Sequence, residues 1–296
     1  MFTALVVAVR IIANPLANVF QKRLVQSAIH PLVVIGMTHA LLTVIVLPFV
    51  ARVAWQALVP AFWANMALCA VLAVAGNVLL VAALHRTDLS LLGPINAYKA
   101  VLSLALGTVV LGEIPSAFGM LGVLLIVLGS VLVVDRAPGQ QRAQAVALLF
   151  GDRGVQLRLA ALVCSATEAV FLKRAQAFGS PSTTFLAWVF LGVLPAALAA
   201  VLLLRSDIRA QLQRLRREWP SYGALAVTTG AMQLATLLVF RAMPVGYALA
   251  LFQLSAVVSV LLGARYFAER SIGRRLAGSA VMVVGAALIV TLGASR

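Results

Sequence analysis

The stretch LSLALGTVVLGE (residues 102–113) returns 156 positions later as VSVLLGARYFAE (residues 258–269). Extending this alignment without a gap pairs residues 84–134 with residues 240–290, and eleven positions carry the same residue. Chance matching in so apolar a chain would give about half that number. We therefore predict an internal repeat. The most informative matches are not aliphatic: Glu113 aligns with Glu269, Gly122 with Gly278, and Gly129 with Gly285.

The composition of the chain excludes a single water-soluble core. Hydrophobic residues make up 63% of the 296 residues and charged residues only 10%, whereas a soluble domain is about half apolar and a quarter charged. The mean hydropathy is +1.06. A helix needs about 20 apolar residues to cross a bilayer. We predict an all-α membrane protein with ten transmembrane spans, at residues 2–25, 31–52, 60–84, 88–110, 115–134, 155–178, 182–204, 219–241, 245–267 and 272–292.

The repeat divides these spans into two sets of five. The predicted first repeat covers residues 1–135, a polar linker covers residues 136–154, and the second repeat covers residues 155–296. Because five is an odd number, the two repeats enter the membrane in opposite directions. Inverted repeats are typical of secondary transporters, which hold their solute near the midplane where the repeats meet. The organisation therefore favours a transporter over a receptor or a scaffold.

A short motif recurs in both repeats: Gly112-Glu113, Gly122 and Gly129 in the first, and Ala268-Glu269, Gly278 and Gly285 in the second. With ten spans in two repeats, this motif resembles the EamA-type transporters of the drug/metabolite transporter (DMT) superfamily. The stretch HRTD (residues 85–88) resembles the short loop that follows the third span in that family. The resemblance covers almost the whole chain. It implies a basket-like helical fold with a central cavity, and export or uptake of small metabolites.

The chain departs from the family pattern at two positions. The first span carries Ala13-Asn14-Pro15 where the family usually has a tryptophan followed by a small residue, and His39 stands where the second span often has an arginine. Both departures fall on spans close to the implied cavity. They leave the class of substrate open.

Lys99 lies near the centre of the span at residues 88–110, with no other charge in its interior. A buried ammonium group costs several kcal/mol unless a partner, water or a ligand solvates it. Glu168 is the only carboxylate at the centre of any predicted span, so we predict by depth that it is the partner of Lys99. Both residues are candidate substrate ligands, and Glu168 is also a candidate carrier of a coupling proton. The alternative is a fixed salt bridge with no role in transport.

Seven further residues are candidate substrate contacts: Asn14, Asn18, Asn77, Asn96, Tyr98, Gln233 and Gln253. Asparagines also hold membrane helices together by hydrogen bonds, so for Asn14 and Asn18 both interpretations stand. Core packing is the alternative for Tyr98. His39 is a candidate for proton coupling, and a buried histidine whose hydrogen bonds are satisfied is the alternative.

The net charge of +15 comes mainly from arginines in predicted loops, at residues 136–158, 205–217 and 270–275. This distribution indicates control of membrane topology rather than a nucleic-acid partner. By the positive-inside rule, it places both termini outside the cell. The family resemblance implies termini inside, and the sequence leaves both orientations open. Membrane lipid and a small solute are the expected partners.

No motif for an enzyme or an ATP-driven pump is present in the sequence. It contains neither GxxxxGK[ST] nor HExxH, the motifs for phosphate and for zinc binding, and we expect no cofactor and no metal. The main hypothesis is a secondary transporter of a small organic metabolite, such as an amino acid or a related zwitterion or anion, working by alternating access. A flippase for a lipid-linked or amphipathic molecule is the second hypothesis, and a membrane-embedded enzyme is the third. The expected location is the bacterial inner membrane.

Overall fold

The computed structural model describes residues 2–84, 89–133, 153–204, 207–255, 258 and 272–293. Within these ranges the secondary structure is helical, which confirms the all-α prediction for this part of the chain. The helices are α1 (Phe2–Gln26), α2 (Pro31–Val46), α3 (Pro60–Leu84), α4 (Leu89–Leu111), α5 (Ala117–Val133), α6 (Arg153–Ala175), α7 (Pro181–Leu204), α8 (Ile208–Arg217), α9 (Trp219–Ala242), α10 (Val245–Phe252) and α11 (Ile272–Leu288). Two 3-10 segments, Leu47–Arg52 and Trp55–Ala57, follow α2, and a π-helical turn, Ile289–Gly293, follows α11.

Six apolar helical stretches in the described residues are long enough to cross a membrane: Phe2–Gln21, Leu32–Arg52, Pro60–Leu80, Arg153–Ala175, Pro181–Leu198 and Trp219–Ala242. Shorter apolar stretches, Tyr98–Leu111, Ala117–Gly129 and Ala277–Leu288, fall in the predicted fourth, fifth and tenth spans. About half of the predicted ninth span, residues 256–257 and 259–267, lies outside the described residues. The structure therefore supports a membrane protein, but it does not confirm the number ten.

The sequence predicted an arginine-rich loop at residues 205–217, and this prediction is wrong for the part that the structure describes. Its described part contains the ten-residue helix α8, with Gln211 and Leu215 buried on one face. Arg209, Arg216 and Arg217 are exposed on the rest of its surface. One buried face with charged residues on the others is typical of a helix that lies on the surface of a protein.

The chain forms two compact units. Unit 1 contains residues 1–74 and 171–242, and unit 2 contains residues 75–170 and 243–296. The division falls within α3 and α6, so each unit takes helices from both predicted repeats. The repeat boundaries themselves stay a prediction from the sequence.

In unit 1, α1 packs against α9 and α2 against α7. Arg10 contacts Thr236 near one end of the first pair, and Ser27 contacts Glu218 near the other. Since the residue numbers rise on one helix as they fall on the other, α1 and α9 are antiparallel. Two buried apolar clusters fill the unit, one around Leu24, Val33 and Leu225, the other around Leu42, Val189 and Ala226.

In unit 2, α5 crosses α11 at glycines. A Cβ added at Gly122 would come within 2.7 Å of the carbonyl oxygen of Gly285, and one added at Gly129 within 2.6 Å of that of Gly278. Small residues at such positions let the backbones of membrane helices approach closely. In the sequence repeat, Gly122 is the counterpart of Gly278 and Gly129 of Gly285. The contacts are therefore reciprocal, as in a two-fold symmetric interface, and this arrangement fits a two-repeat architecture.

Candidate functional site

The predicted site residues are divided between the two units. Unit 1 contains Asn14, Asn18, His39 and Gln233, and unit 2 contains Asn77, Asn96, Tyr98, Lys99, Glu168 and Gln253. The predicted charged residues, Lys99 and Glu168, are thus both in unit 2, on α4 and α6.

Lys99 and Glu168 are both half-buried. Leu102, one turn after Lys99 on α4, packs against a buried cluster made of Ala83, Val155 and Leu162. Val155 and Leu162 belong to α6, so the helix that carries Lys99 packs in the same cluster as the helix that carries Glu168. The predicted contact between the two charged groups stays a prediction.

The neutral predicted residues of unit 2 differ in how the structure places them. A Cβ at Gly76 would lie 3.3 Å from the Cβ of Cys164 and 3.9 Å from the backbone nitrogen of Ser165. This contact between α3 and α6 puts the half-buried Asn77 level with Ser165, about one turn from Glu168. Gln253, also half-buried, caps the end of α10. Tyr98 is 52% exposed, and the side chain of Asn96 lies outside the described residues.

Arg10 is an ionic side chain within a span that the predicted site does not include. It lies on α1, and its Nε donates a hydrogen bond to Oγ1 of Thr236 at 2.8 Å. The Thr236 hydroxyl in turn donates to the carbonyl oxygen of Met232 at 2.8 Å. A charge inside an apolar span is visible in the sequence of residues 2–25.

Three predicted residues of unit 1 lie on the same pair of helices as Arg10. Asn14 follows Arg10 by one turn of α1 and is half-buried, and Gln233 is a buried residue of α9. The antiparallel register set by Arg10 and Thr236 places Asn14 within about one turn of Gln233. Asn18, a further turn along α1, is exposed. Arg10, Asn14 and Gln233 therefore cluster along the contact between α1 and α9.

His39 sits in a closely packed aromatic setting between α2 and α7. Its Nδ1 lies 3.1 Å from the carbonyl oxygen of Val189, and since a carbonyl only accepts, Nδ1 carries the proton. The ring lies 4.4 Å from that of Trp188, and Gly192 leaves room for the imidazole. One nitrogen of His39 is thus engaged by the backbone, and the other is the atom that would exchange a proton. Its predicted role in proton coupling stays a prediction.

Glu113 connects the end of α4 to the start of α10 in unit 2 through a hydrogen bond. Gly112, at φ 67°, adopts the left-handed conformation that commonly ends helices. The turn directs Oε2 of Glu113 to the backbone nitrogen of Val245 at 2.9 Å, at the first residue of α10. Nearby, the hydroxyl of Tyr247 accepts a hydrogen bond from the backbone nitrogen of Ser116 at 2.8 Å. The carboxylate thus caps α10. Its repeat counterpart, Glu269, lies outside the described residues.

Comparison with known proteins identifies the family. A solved crystal structure, described only as that of a protein, is similar over 98% of this chain and 97% of its own, with a TM-score of 0.72 and 17% sequence identity. At this identity the likeness shows the fold alone. No curated protein matches the chain. The profile of the EamA-like transporter family matches residues 2–135 and again residues 152–291. The chain therefore belongs to the EamA-like transporter family, whose members are integral membrane transporters of the drug/metabolite type rather than enzymes.

Proposed function

We propose that this protein is a secondary transporter of a small organic solute with an anionic group, such as an amino acid or a related zwitterion or anion. It works by alternating access in a bacterial inner membrane. The family supplies the transporter class and the existence of a small-molecule solute.

One observation carries the proposal: Lys99 and Glu168 are both half-buried within apolar helices of the same unit. Each charge costs several kcal/mol at such depth unless it is solvated by a partner or a ligand. Protein stability alone gives little reason to keep such a pair, because a buried ion pair is often no more stable than an apolar one. A solute with a carboxylate for Lys99 and an amine for Glu168 would use both charges.

Unit 1 contains a basic group of its own, Arg10, which is a separate candidate for binding an anionic group. Its guanidinium offers several donors in a fixed plane, which suits carboxylate and phosphate. The hydroxyl of Thr236 accepts a hydrogen bond from Nε of this group. Within unit 1, Asn14 and Gln233 would add neutral hydrogen bonds beside Arg10. Within unit 2, Asn77 and Gln253 are the neutral candidates for the solute at Lys99 and Glu168.

Glu168 and His39 are the groups that could couple transport to a proton. No nucleotide-binding motif occurs in the sequence, which is why we propose an ion gradient as the energy source. A carboxylate that alternately binds a proton and an amine would couple the two movements. This role for Glu168 predicts that uptake responds to an imposed pH gradient.

The test is uptake into proteoliposomes over a panel of amino acids, nucleosides and sugar phosphates. We expect saturable uptake of at least one class. Lys99→Met and Glu168→Gln should each reduce it by about tenfold or more, the effect of losing roughly 1.4 kcal/mol of binding. Lys173→Met, at the end of α6, serves as the matched control and should transport like the parent. Full activity in both Lys99→Met and Glu168→Gln would overturn the assignment.

The double variant Lys99→Met/Glu168→Gln separates a binding site from a purely structural salt bridge. A structural pair predicts that neutralising both charges restores transport, because neither charge is left uncompensated. A binding site predicts that the double variant folds but stays inactive. Recovery of solute of unchanged mass inside the vesicles excludes an enzyme, and movement of lipid analogues instead of water-soluble solutes would favour a flippase.

A further inference from the structure

Unit 1 contains a cavity of about 410 Å³ beside the 3-10 segments that follow α2. Seven apolar side chains form its walls: Leu47, Val50, Trp55, Trp63, Ala187, Phe190 and Leu191. An engineered cavity of about 150 Å³ is enough to bind one benzene molecule. This space is more than twice as large, and none of the polar residues assigned to the solute lines it.

The chemistry of the walls selects an apolar occupant. Among the seven side chains, those of Trp55 and Trp63 carry a polar atom, the indole nitrogen. The indole nitrogen of Trp55 donates a hydrogen bond to the carbonyl oxygen of Val50 at 3.0 Å. Leu47 and Trp63 are exposed at the edge of the cavity, with 61% and 37% of their surface accessible. An exposed apolar edge of this kind is typical of a surface that contacts lipid. A chain of methylene groups therefore fits the cavity, whereas a polar solute would lose its hydration without compensation.

A positive charge lies beside the cavity. Arg52 is exposed and stands two residues after Val50 and three before Trp55, so its Cα is at most about 7 and 11 Å from theirs. Its guanidinium lies over the ring of Phe49, 5.4 Å from the centroid. Tryptophan at the membrane interface marks the depth of the lipid headgroups. Arg52 is thus placed to meet a headgroup whose tail enters the cavity.

We propose that this cavity is a binding site for one anionic phospholipid, with an acyl chain against Trp55, Trp63 and Phe190 and the headgroup phosphate at Arg52. The apolar walls account for the tail, and the charge of Arg52 accounts for preference among headgroups. The site does not depend on which solute is transported. A free phosphate ion would meet Arg52 alone and would gain nothing from the apolar walls.

The test is native mass spectrometry of the full-length protein, purified in mild detergent and supplied with equal amounts of phosphatidylglycerol and phosphatidylethanolamine. The parent should retain one phospholipid and prefer phosphatidylglycerol. Leu191→Trp fills the cavity and should lose that adduct. Leu194→Trp is its matched control, because Leu194 lies on the same helix but is 69% exposed and does not line the cavity. Val50→Trp fills the cavity from the 3-10 segment Leu47–Arg52 and serves if Leu191→Trp does not fold.

Arg52→Gln tests the headgroup. One arginine near an anionic surface contributes about 1 kcal/mol, so the preference for phosphatidylglycerol should fall about fivefold. Arg209→Gln, an exposed arginine of α8, is the control and should keep the preference. The proposal is overturned if Leu191→Trp and Val50→Trp retain the adduct, if Leu194→Trp loses it equally, or if Arg52→Gln leaves the preference unchanged. Binding of inorganic phosphate in place of the lipid would also overturn it.

Discussion

Arg10 and Thr236 show how one hydroxyl can stabilise a charge within an apolar helix. Thr236 is buried, accepts from Nε of Arg10 and donates to the carbonyl oxygen of Met232. The guanidinium cannot lose its charge at any physiological pH. Its solvation inside unit 1 therefore depends on the acceptors that the fold supplies.

We predict that Thr236→Val destabilises the protein because it removes an acceptor from Arg10. Leaving a buried donor unsatisfied costs about 1–3 kcal/mol. Thr236→Ser keeps the hydroxyl and should stay close to the parent. Thermal unfolding in detergent measures both variants, and equal midpoints for the valine and serine variants would contradict the assigned hydrogen bond.

Glu113 gives a second prediction for a single residue. Its carboxylate accepts from the first backbone N–H of α10, whose N-cap, Pro244, provides no side-chain acceptor. Losing a helix cap costs about 0.5–2 kcal/mol, so Glu113→Ala should lower the unfolding midpoint. Glu113→Gln keeps an acceptor oxygen and should lose less. A glutamine variant as unstable as the alanine variant would show that the charge, rather than the cap, matters.

Some of these residue roles could be predicted from the sequence and others could not. Glu113 precedes a span, where a carboxylate commonly stabilises the helix N-terminus, but the helix it caps begins 132 residues later, which no local pattern reveals. Lys99 and Glu168 stand out because charges are rare at the centre of apolar spans. Arg10 is equally unusual, and its hydroxyl partner 226 residues away depends on the packing of α1 with α9.

At the scale of helices, the crossing of α5 and α11 depends on four glycines. Sequence comparison found all four as repeat matches but could not say that Gly122 meets Gly285 and Gly129 meets Gly278. That pairing follows from antiparallel packing of two equivalent helices. The side-chain contacts show the same symmetry. Gly129 meets Met282, and Gly285 meets Ile126. Met282 is the repeat counterpart of Ile126.

We predict that Gly122→Ala and Gly285→Ala destabilise the protein to a similar extent. Each added Cβ would meet a backbone oxygen at 2.6–2.7 Å, so the helices must move apart, and overpacking of this kind costs about 1–3 kcal/mol. Gly223→Ala is the matched control, because nothing lies within 4 Å of a Cβ there. It should be neutral or stabilising, by up to about 1 kcal/mol. Thermal unfolding measures all three, and tolerance of both crossing variants would contradict the close contact.

Hydropathy predicted the long helices well because about 20 apolar residues leave little alternative to a membrane span. It did not predict α8. This helix has ten residues and four arginines, and its buried face consists of Gln211 and Leu215. Gln211 also accepts from the backbone nitrogen of His30 through Oε1 at 2.8 Å. A helix held by such tertiary contacts gives only a weak local pattern.

At the scale of the whole molecule, the repeat in the sequence and the compact units in the structure describe different divisions. Helices α1, α2, α7 and α9 share unit 1, although two come from each predicted repeat. Contiguity along the chain therefore does not predict which helices pack together. The predicted opposite orientation of the repeats does lead one to expect antiparallel pairs, such as α1 with α9.

The membrane orientation of the chain can be tested by labelling residues at the two ends of α7. The connection before α7 contains the exposed Ala177, and α8, after α7, contains the exposed Gln213. Arg214 of α8 donates to the carbonyl oxygen of Ala28 at 2.8 Å, so α1 ends on the side of α8 and the N-terminus lies on the other. Because arginines are concentrated at α8, the positive-inside rule places α8 in the cytoplasm and the N-terminus outside.

The experiment uses a background in which Cys69→Ala and Cys164→Ala remove the two native thiols. A membrane-impermeant maleimide added to intact cells should label Ala177→Cys but not Gln213→Cys. Both should react after permeabilisation, which controls for folding and access. The reverse pattern in intact cells would place the N-terminus inside, as the family resemblance implies. It would then follow that the arginines of α8 do not determine the orientation of this chain.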